Sequence, residues 1–296
     1  MIRAGALLLA LTASADAPET VYSAPAQHRL IEGVATDGRT IWLSSVLDRT
    51  ILAHRAGKGD SRIAMPAGTL HPLGLAWDSR RNWLWVATDC PDLPGVAKCD
   101  SGALVALDRS GRLKARLSAG PGFHPGDVAA AGGAVFVSDS RNGAVYRLNG
   151  NTLDPLIAPG IARSAQGSAL SPDGKHLIVA DYGRGVATID LKTQVRTLLP
   201  MADGKPLRGL DGLVRVGADY YAIHNGSSPG SLLRFRITGA QIAVAVVHRG
   251  APLADPTQLA SDGRRLLIVA DAGWPAASKP DQPPRGAGTL VAMPFR

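Results

Sequence analysis

The sequence lacks most of the features that mark specialised protein classes. It has two cysteines in 296 residues, so neither a disulfide-dense scaffold nor a multi-thiol metal cluster is available. No run of five or six basic residues occurs. The formal charge of +8 therefore permits a general attraction to anionic surfaces without indicating a nucleic-acid site. No pair of histidines has metal-ligand spacing. No apolar run approaches the roughly 20 residues that span a bilayer, so no membrane anchor is expected. A convincing helical period is also missing.

The N-terminus is the first positive signal. Residues 1–15 read MIRAGALLLALTASA, with Arg3 ahead of an apolar run from Ala4 to Leu11. Ala13, Ser14 and Ala15 then supply the small residues of a cleavage site, so residues 1–15 read as a secretory signal peptide. The alternative is a disordered or buried N-terminus. Cleavage near Asp16 removes Arg3 and no acid, which takes the net charge from +8 to +7. A periplasmic or secreted protein is expected. Cys90 and Cys99, in CPDLPGVAKC, then suggest a disulfide closing a short loop. A thiol pair binding metal is the weaker alternative, because no histidine pair stands nearby.

Chain organisation comes from a repeat. A short apolar strand, a turn, a more apolar strand and an Asp or Asn recur six times, beginning at Ile31, Pro72, Pro125, Ala165, Leu210 and Pro256. Aligned, the copies place Glu32, Leu73, Gly126, Gln166, Asp211 and Thr257 in one column, at intervals of 41, 53, 40, 45 and 46 residues. The longest interval holds the Cys90–Cys99 loop. A strand-built period in the forties predicts an all-β, six-bladed β-propeller over residues 16–296 as a single domain. The last copy has three strands, so the N-terminal segment 19–24 is expected to close blade six as a 3+1 sheet. Trp42, Trp77, Trp83 and Trp85 read as packing between blades.

In a propeller the first strands line a central channel, so the column opens at one mouth. Glu32, Gln166, Asp211 and Thr257 are its polar members, with Asp127 and Gln258 beside them. Oxygen donors converging from several blades suit Ca²⁺ or another divalent cation. These acids also fit as caps of backbone N–H groups. Asp89, Asp139, Asp181 and Asp271 form a second acidic column that reads as turn-stabilising, with Asn225 in the fifth copy. Trp274, where a strand leaves for a Pro-rich loop, is placed to edge a pocket. His71 and His124 stand near the mouth and His224 ends a second strand beside Asn225; each fits a proton-transfer role or an ordinary loop histidine. Gly226–Gly230 matches G-x-S-x-G but falls between two strands of one blade, where no nucleophile elbow forms.

Ile31-Glu32-Gly33, Gly126-Asp127-Val128, Gln166-Gly167 with Ser171-Pro172-Asp173-Gly174, and Leu210-Asp211-Gly212-Leu213 follow one another in order. Together they resemble the senescence marker protein/gluconolactonase-like family, which includes regucalcin, over residues 28–273. The resemblance implies a divalent cation, commonly Ca²⁺, held by a Glu, two Asn and an Asp. Glu32 and Asp211 match the Glu and the Asp. Gly126, followed by Asp127, stands in place of one Asn, and Gln166 in place of the other.

Two functions are expected from these residues. One is a metal-dependent hydrolase of a lactone or related ester. There Asp211 is nucleophile or base, His124 a proton shuttle, and Glu32, Gln166, Asp211 and Asp127 the ion's ligands. Asp127, Asn225, Thr257, Gln258 and Trp274 would contact the substrate. The other is a non-catalytic exported propeller holding a small ligand or a partner protein at the same mouth. A monomer is assumed as the unit.

Overall fold

The computed structural model describes residues 17–279 and 288–295. The expected signal peptide and most of the Pro-rich loop lie outside the described residues. Within them the chain forms six four-stranded antiparallel sheets in a six-bladed β-propeller. The N-terminal strand is β1 (Glu19–Ser23). Blade one is β2 (Ile31–Thr36), β3 (Ile41–Ser45), β4 (Thr50–Arg55) and β5 (Gly59–Ala64). Blade two is β6 (His71–Asp78), β7 (Trp83–Asp89), β8 (Ala103–Leu107) and β9 (Leu113–Leu117). Blade three is β10 (Pro125–Ala131), β11 (Ala134–Asp139), β12 (Val145–Asn149) and β13 (Thr152–Ile157). Blade four is β14 (Ala165–Leu170), β15 (His176–Asp181), β16 (Gly185–Asp190) and β17 (Arg196–Leu198). Blade five is β18 (Leu210–Val216), β19 (Asp219–His224), β20 (Ser231–Thr238) and β21 (Gln241–Arg249). Blade six is β22 (Leu259–Ser261), β23 (Arg265–Asp271) and β24 (Thr289–Pro294), completed by β1. A single turn of helix, α1 (Trp274–Ala277), follows β23.

Burial explains the sequence pattern. The second strands read as nearly unbroken apolar runs because a neighbouring blade covers each of their faces. Six of the seven residues of β7 are buried, whereas the outermost strands β5 and β9 have no buried residue. Trp42 of β3 stacks on Trp77 of β6 with ring centroids 4.8 Å apart, which joins blades one and two. Arg109 lies 4.4 Å over the face of Trp77.

Closure follows the expected 3+1 pattern. Thr20 pairs with Val291 and Ser23 with Thr289. The Tyr22 hydroxyl donates to Asp60 of blade one, whose other oxygen lies 2.8 Å from His54 Nδ1. Val21 and Tyr22 pack on the cluster of Ile31, Leu43, Leu267 and Leu290. The closing strand is thereby tied to both blades it bridges.

The first strands are shaped for the channel. In five blades their register with the second strand shifts beside the column residue, as between Ile31 and Val34 and between Leu210 and Leu213. Such bulges turn side chains toward a mouth. The glycine after the column residue lets adjacent blades approach. A Cβ at Gly33 would sit 2.3 Å from Leu73 O, and one at Gly167 2.3 Å from Leu213 N. Blades three and six put Asp127 and Gln258 in that slot instead, and these two side chains face each other across the channel, close enough for the Gln258 amide to favour the Asp127 carboxylate.

Cys90 and Cys99 form a disulfide, in keeping with an oxidising compartment. No helix among the described residues is long and apolar enough to cross a membrane.

Candidate functional site

All six column residues line one cavity of about 540 Å³ at a mouth of the channel. Asn225, Gln258 and Trp274 join them, as the sequence suggested. A second cavity of about 240 Å³ continues down the channel, walled by β2, β6, β10, β14, β18 and β22. The Asp127–Gln258 contact forms the waist between the two. Gln258 borders both cavities, and Asp127 only the lower one.

The polar contacts are specific. Trp274 Nε1 donates to Glu32 Oε2. Thr257 Oγ1 donates to the Glu32 carbonyl at 2.9 Å, so it positions blade one more than it faces a ligand. Asn225 Nδ2 donates to Asp211 Oδ2 at 2.7 Å and to Pro256 O at 3.0 Å. Asn225 Oδ1 is buried with no hydrogen-bond partner. Gln166 Nε2 donates to Ser164 Oγ at 3.0 Å, which leaves its amide oxygen as the available ligand atom. Asp127 Oδ1 accepts from Val128 N at 2.7 Å.

Burial dominates the electrostatics. It pushes the Glu32 carboxyl well above the usual carboxylate range, and the nearby Asp211 charge adds to this against the opposing Trp274 hydrogen bond. Burial likewise pushes Asp211 up to about 7, opposed by the Asn225 amide and assisted by Asp127 and Asp255. Asp127 is pushed up to about 6 by burial, opposed by Gln258 and the Val128 N–H. Carboxyls held together in this way gain from a cation or from protons.

The structure separates His124 from this group. Its Nδ1 lies 3.0 Å from Asp89 Oδ1 and its N–H donates to Asp139 Oδ2 at 2.8 Å, and it is not among the residues lining the cavity. His71 Nδ1 is bound to Val46 O at 2.7 Å, as befits a loop histidine. The G-x-S-x-G segment joins β19 to β20 with no helix after it. Asp139 and Asp181 cap loop N–H groups, as expected of the second acidic column. Asp89 departs from that pattern: it lines the cavity and faces His124 and Arg141 instead of backbone.

Sequence reasoning missed Asp255, Ser140, Arg141 and Tyr182, all in the cavity wall. Ser140, Arg141 and Tyr182 directly follow the second acidic column, and that offset was the available signal. Asp255 Oδ2 accepts from the N–H groups of Gly273 and Trp274 at 2.9 and 2.7 Å, fixing the start of α1. At blade three, Ser140 fills the space left by Gly126: a Cβ there would meet Ser140 Oγ at 2.6 Å.

Asp89, Cys99 and His124 offer three ligand atoms within 4.8 Å of one another. Cys99 is held in the disulfide, so it supplies no thiolate, and this trio is a poor metal site. No other three acid, thiol or imidazole groups among the described residues lie that close. At the mouth, Glu32 and Asp211 share the cavity wall with the amides of Gln166 and Asn225, and the Asp255 carboxylate acts on both acids.

No protein-family model matches the chain, and no curated protein matches it. Solved structures do. A calcium-binding regucalcin from Agrobacterium tumefaciens aligns with TM-score 0.67 at 20% identity over 95% of each chain. A luciferin-regenerating enzyme aligns with TM-score 0.66 at 12% identity, over 94% of this chain and 96% of its own. A PQQ-bound aldose sugar dehydrogenase from Streptomyces coelicolor aligns with TM-score 0.62 at 12% identity, over 93% and 97%. At these identities the likeness is one of fold.

Proposed function

We propose that this protein is an exported, metal-dependent hydrolase of a lactone or related ester. The observation that carries the reading is the buried, unpartnered Asn225 Oδ1 beside Asp211 in a cavity that also holds Glu32 and Gln166. An acceptor atom left without a donor in a buried site is costly unless something fills the place. The donors are all hard oxygens from blades one, four and five, which fits Ca²⁺. Glu32, Asp211, Asn225 and Gln166 would hold the ion, with Asp127 adding negative charge from the waist. When bound, such an ion polarises a carbonyl and offsets the charge that builds on its oxygen. The structural likeness to a calcium-binding regucalcin accords with this.

The remaining chemistry belongs to the side chains. Asn225 Nδ2 engages Asp211 Oδ2 and so leaves Oδ1 to take a proton from the attacking water. The acyl–oxygen bond then breaks, and the ring oxygen leaves as a hydroxyl with one proton. Trp274 orients Glu32 through its indole N–H and walls one side of the cavity. The closed disulfide and the signal-like residues 1–15 support a periplasmic or secreted location.

The placement of His124 favours a second reading. The histidine best suited to shuttle protons is held by Asp89, outside the cavity lining. A non-catalytic propeller binding a small ligand needs no such group. A lactone and aryl-ester screen, run with calcium and with chelator, separates the two. Turnover that requires the ion and disappears in Asp211→Asn supports the hydrolase. Ligand-induced stabilisation without turnover supports the binding protein.

A further inference from the structure

We propose that the mouth cavity recognises a substrate bearing a carboxylate remote from its reacting carbonyl, and that Arg141 binds that carboxylate. The inference rests on the hydrolase reading above and names its substrate class: a lactone or ester of a sugar-acid-sized compound with a second, free carboxylate.

Charge in the cavity wall is lopsided. Glu32, Asp89, Asp92, Asp211 and Asp255 are acidic, and Arg141 is the single basic side chain among the described lining residues. Arg141 is the lining side chain that attracts an anion most strongly. The position of Arg141 is equally specific. Blade three lies opposite blade six in a six-membered ring, and blades five, six and one carry Asp211, Asp255 and Glu32. The reactive end of the cavity and Arg141 therefore stand on opposite sides. A cavity of about 540 Å³ holds a molecule of sugar-acid size between them.

Arg141 is held but not used up. Its backbone N–H donates to Asp139 Oδ1 at 3.1 Å, and Nη2 donates to Cys90 O. Nε forms an ion pair with Asp89 Oδ2 at 3.5 Å, longer than a good hydrogen bond, and Asp89 shares its charge with His124, 3.0 Å from its other oxygen. Nη1 has no partner among the described residues, and the side chain is 43% exposed. A guanidinium fixed along one edge presents its other edge ready for a carboxylate. Ser140, next to Arg141 in the chain, adds a hydroxyl donor, and Tyr182 of blade four adds another nearer Asp211. Their hydroxyls make no hydrogen bond to a described residue.

Hydrolysis of such a lactone consumes one water, breaks the acyl–oxygen bond and gives a hydroxy-dicarboxylate, with no change of oxidation state. The test compares a sugar-acid monolactone carrying a free carboxylate with its counterpart carrying a primary alcohol at that carbon. Wild type, Arg141→Gln and Arg141→Lys are each assayed with calcium present. Wild type is expected to prefer the carboxylated lactone in kcat/KM. Arg141→Gln is expected to lower that preference by about tenfold to a hundredfold, through KM, with partial recovery in Arg141→Lys. If Arg141 only clamps the disulfide loop, both substrates suffer alike and the preference is unchanged, which overturns the proposal. If neither lactone turns over, calorimetry with the hydroxy-dicarboxylate decides. Binding that weakens in Arg141→Gln sustains the proposal while the hydrolase reading falls; no binding, or binding indifferent to Arg141→Gln, overturns it.

Discussion

Asn225 gives its amide N–H to Asp211 at 2.7 Å and keeps its own oxygen buried without a donor. One half of the side chain orients the acid, and the other half is left for something absent from the protein. A cation ligated by Asn225 Oδ1 satisfies both halves. Asn225→Ala is therefore expected to weaken Ca²⁺ binding by about 10–100-fold, the usual effect of losing a group that ligates or orients ligands. Calorimetric titration of the purified protein reads this directly; an unchanged affinity removes Asn225 from the ion's surroundings.

The acidic mouth also fixes the sign of a pH effect. Glu32, Asp127 and Asp211 have folded-state values raised above their unfolded ones, so the fold favours their protonated forms. Their contribution is most favourable below about pH 4 and is lost as pH rises through about 6 for Asp127 and about 7 for Asp211. Asp37, Asp78 and Asp262 act in the opposite sense. Burial pushes them up, but hydrogen bonds from backbone and arginine hold them below 3.8, so their window lies under that value. Ion-free protein is thus expected to lose stability between about pH 4.5 and 7.5, by a few kcal/mol. Denaturant melts across that range should show the slope, with calcium or Asp211→Asn flattening it. A flat profile in the ion-free wild type counts against the buried carboxyls.

Ring closure makes a separate prediction. β1 covers the edge of β24 and ties itself to Asp60 of blade one. Deleting residues 17–26 bares a strand edge and an apolar seam together. Thermal melting should show loss of most of the stability, whereas Tyr22→Phe should cost only about 1 kcal/mol, as one hydrogen bond does. Melting unaffected by the deletion contradicts closure through β1.

The fold was legible because its signals are local. Six strand-turn-strand phrases at one spacing, three strands in the last and an N-terminal segment free to supply the fourth sufficed for the ring and its closure. The column Glu32, Leu73, Gly126, Gln166, Asp211, Thr257 was legible for the same reason, since blade symmetry sends equivalent positions to one mouth. What escaped depends on distance through space. Asp127 and Gln258 are 131 positions apart (258 minus 127) and meet because opposite blades both lack glycine in the slot that keeps neighbouring strands close. Arg141 and Tyr182 follow the second acidic column by two positions and one, but their equivalents in other blades do not all reach the cavity, so the offset alone did not single them out. His124 stands in the right place in sequence, yet Asp89 draws it aside.

Blade three offers a test of how the column was rebuilt. Gly126 stands where the family resemblance places an asparagine, and Ser140 occupies the space its side chain would take. A Cβ at 126 would lie 2.6 Å from Ser140 Oγ and 3.0 Å from its Cβ. Rotation of the hydroxyl relieves the first contact but not the second. Gly126→Asn alone should therefore destabilise by about 1–3 kcal/mol, the range of overpacking. Ser140→Gly removes both atoms, so the double variant should recover most of that loss. The coupling between the two changes should be large and favourable in a double-mutant cycle. The double variant also places a new amide oxygen in the column and should bind Ca²⁺ more tightly than Ser140→Gly alone. Additive stabilities would show that Gly126 and Ser140 do not compete for this space. Recovered stability with no gain in calcium affinity would place the ion away from blade three, toward Glu32, Asp211 and Asn225.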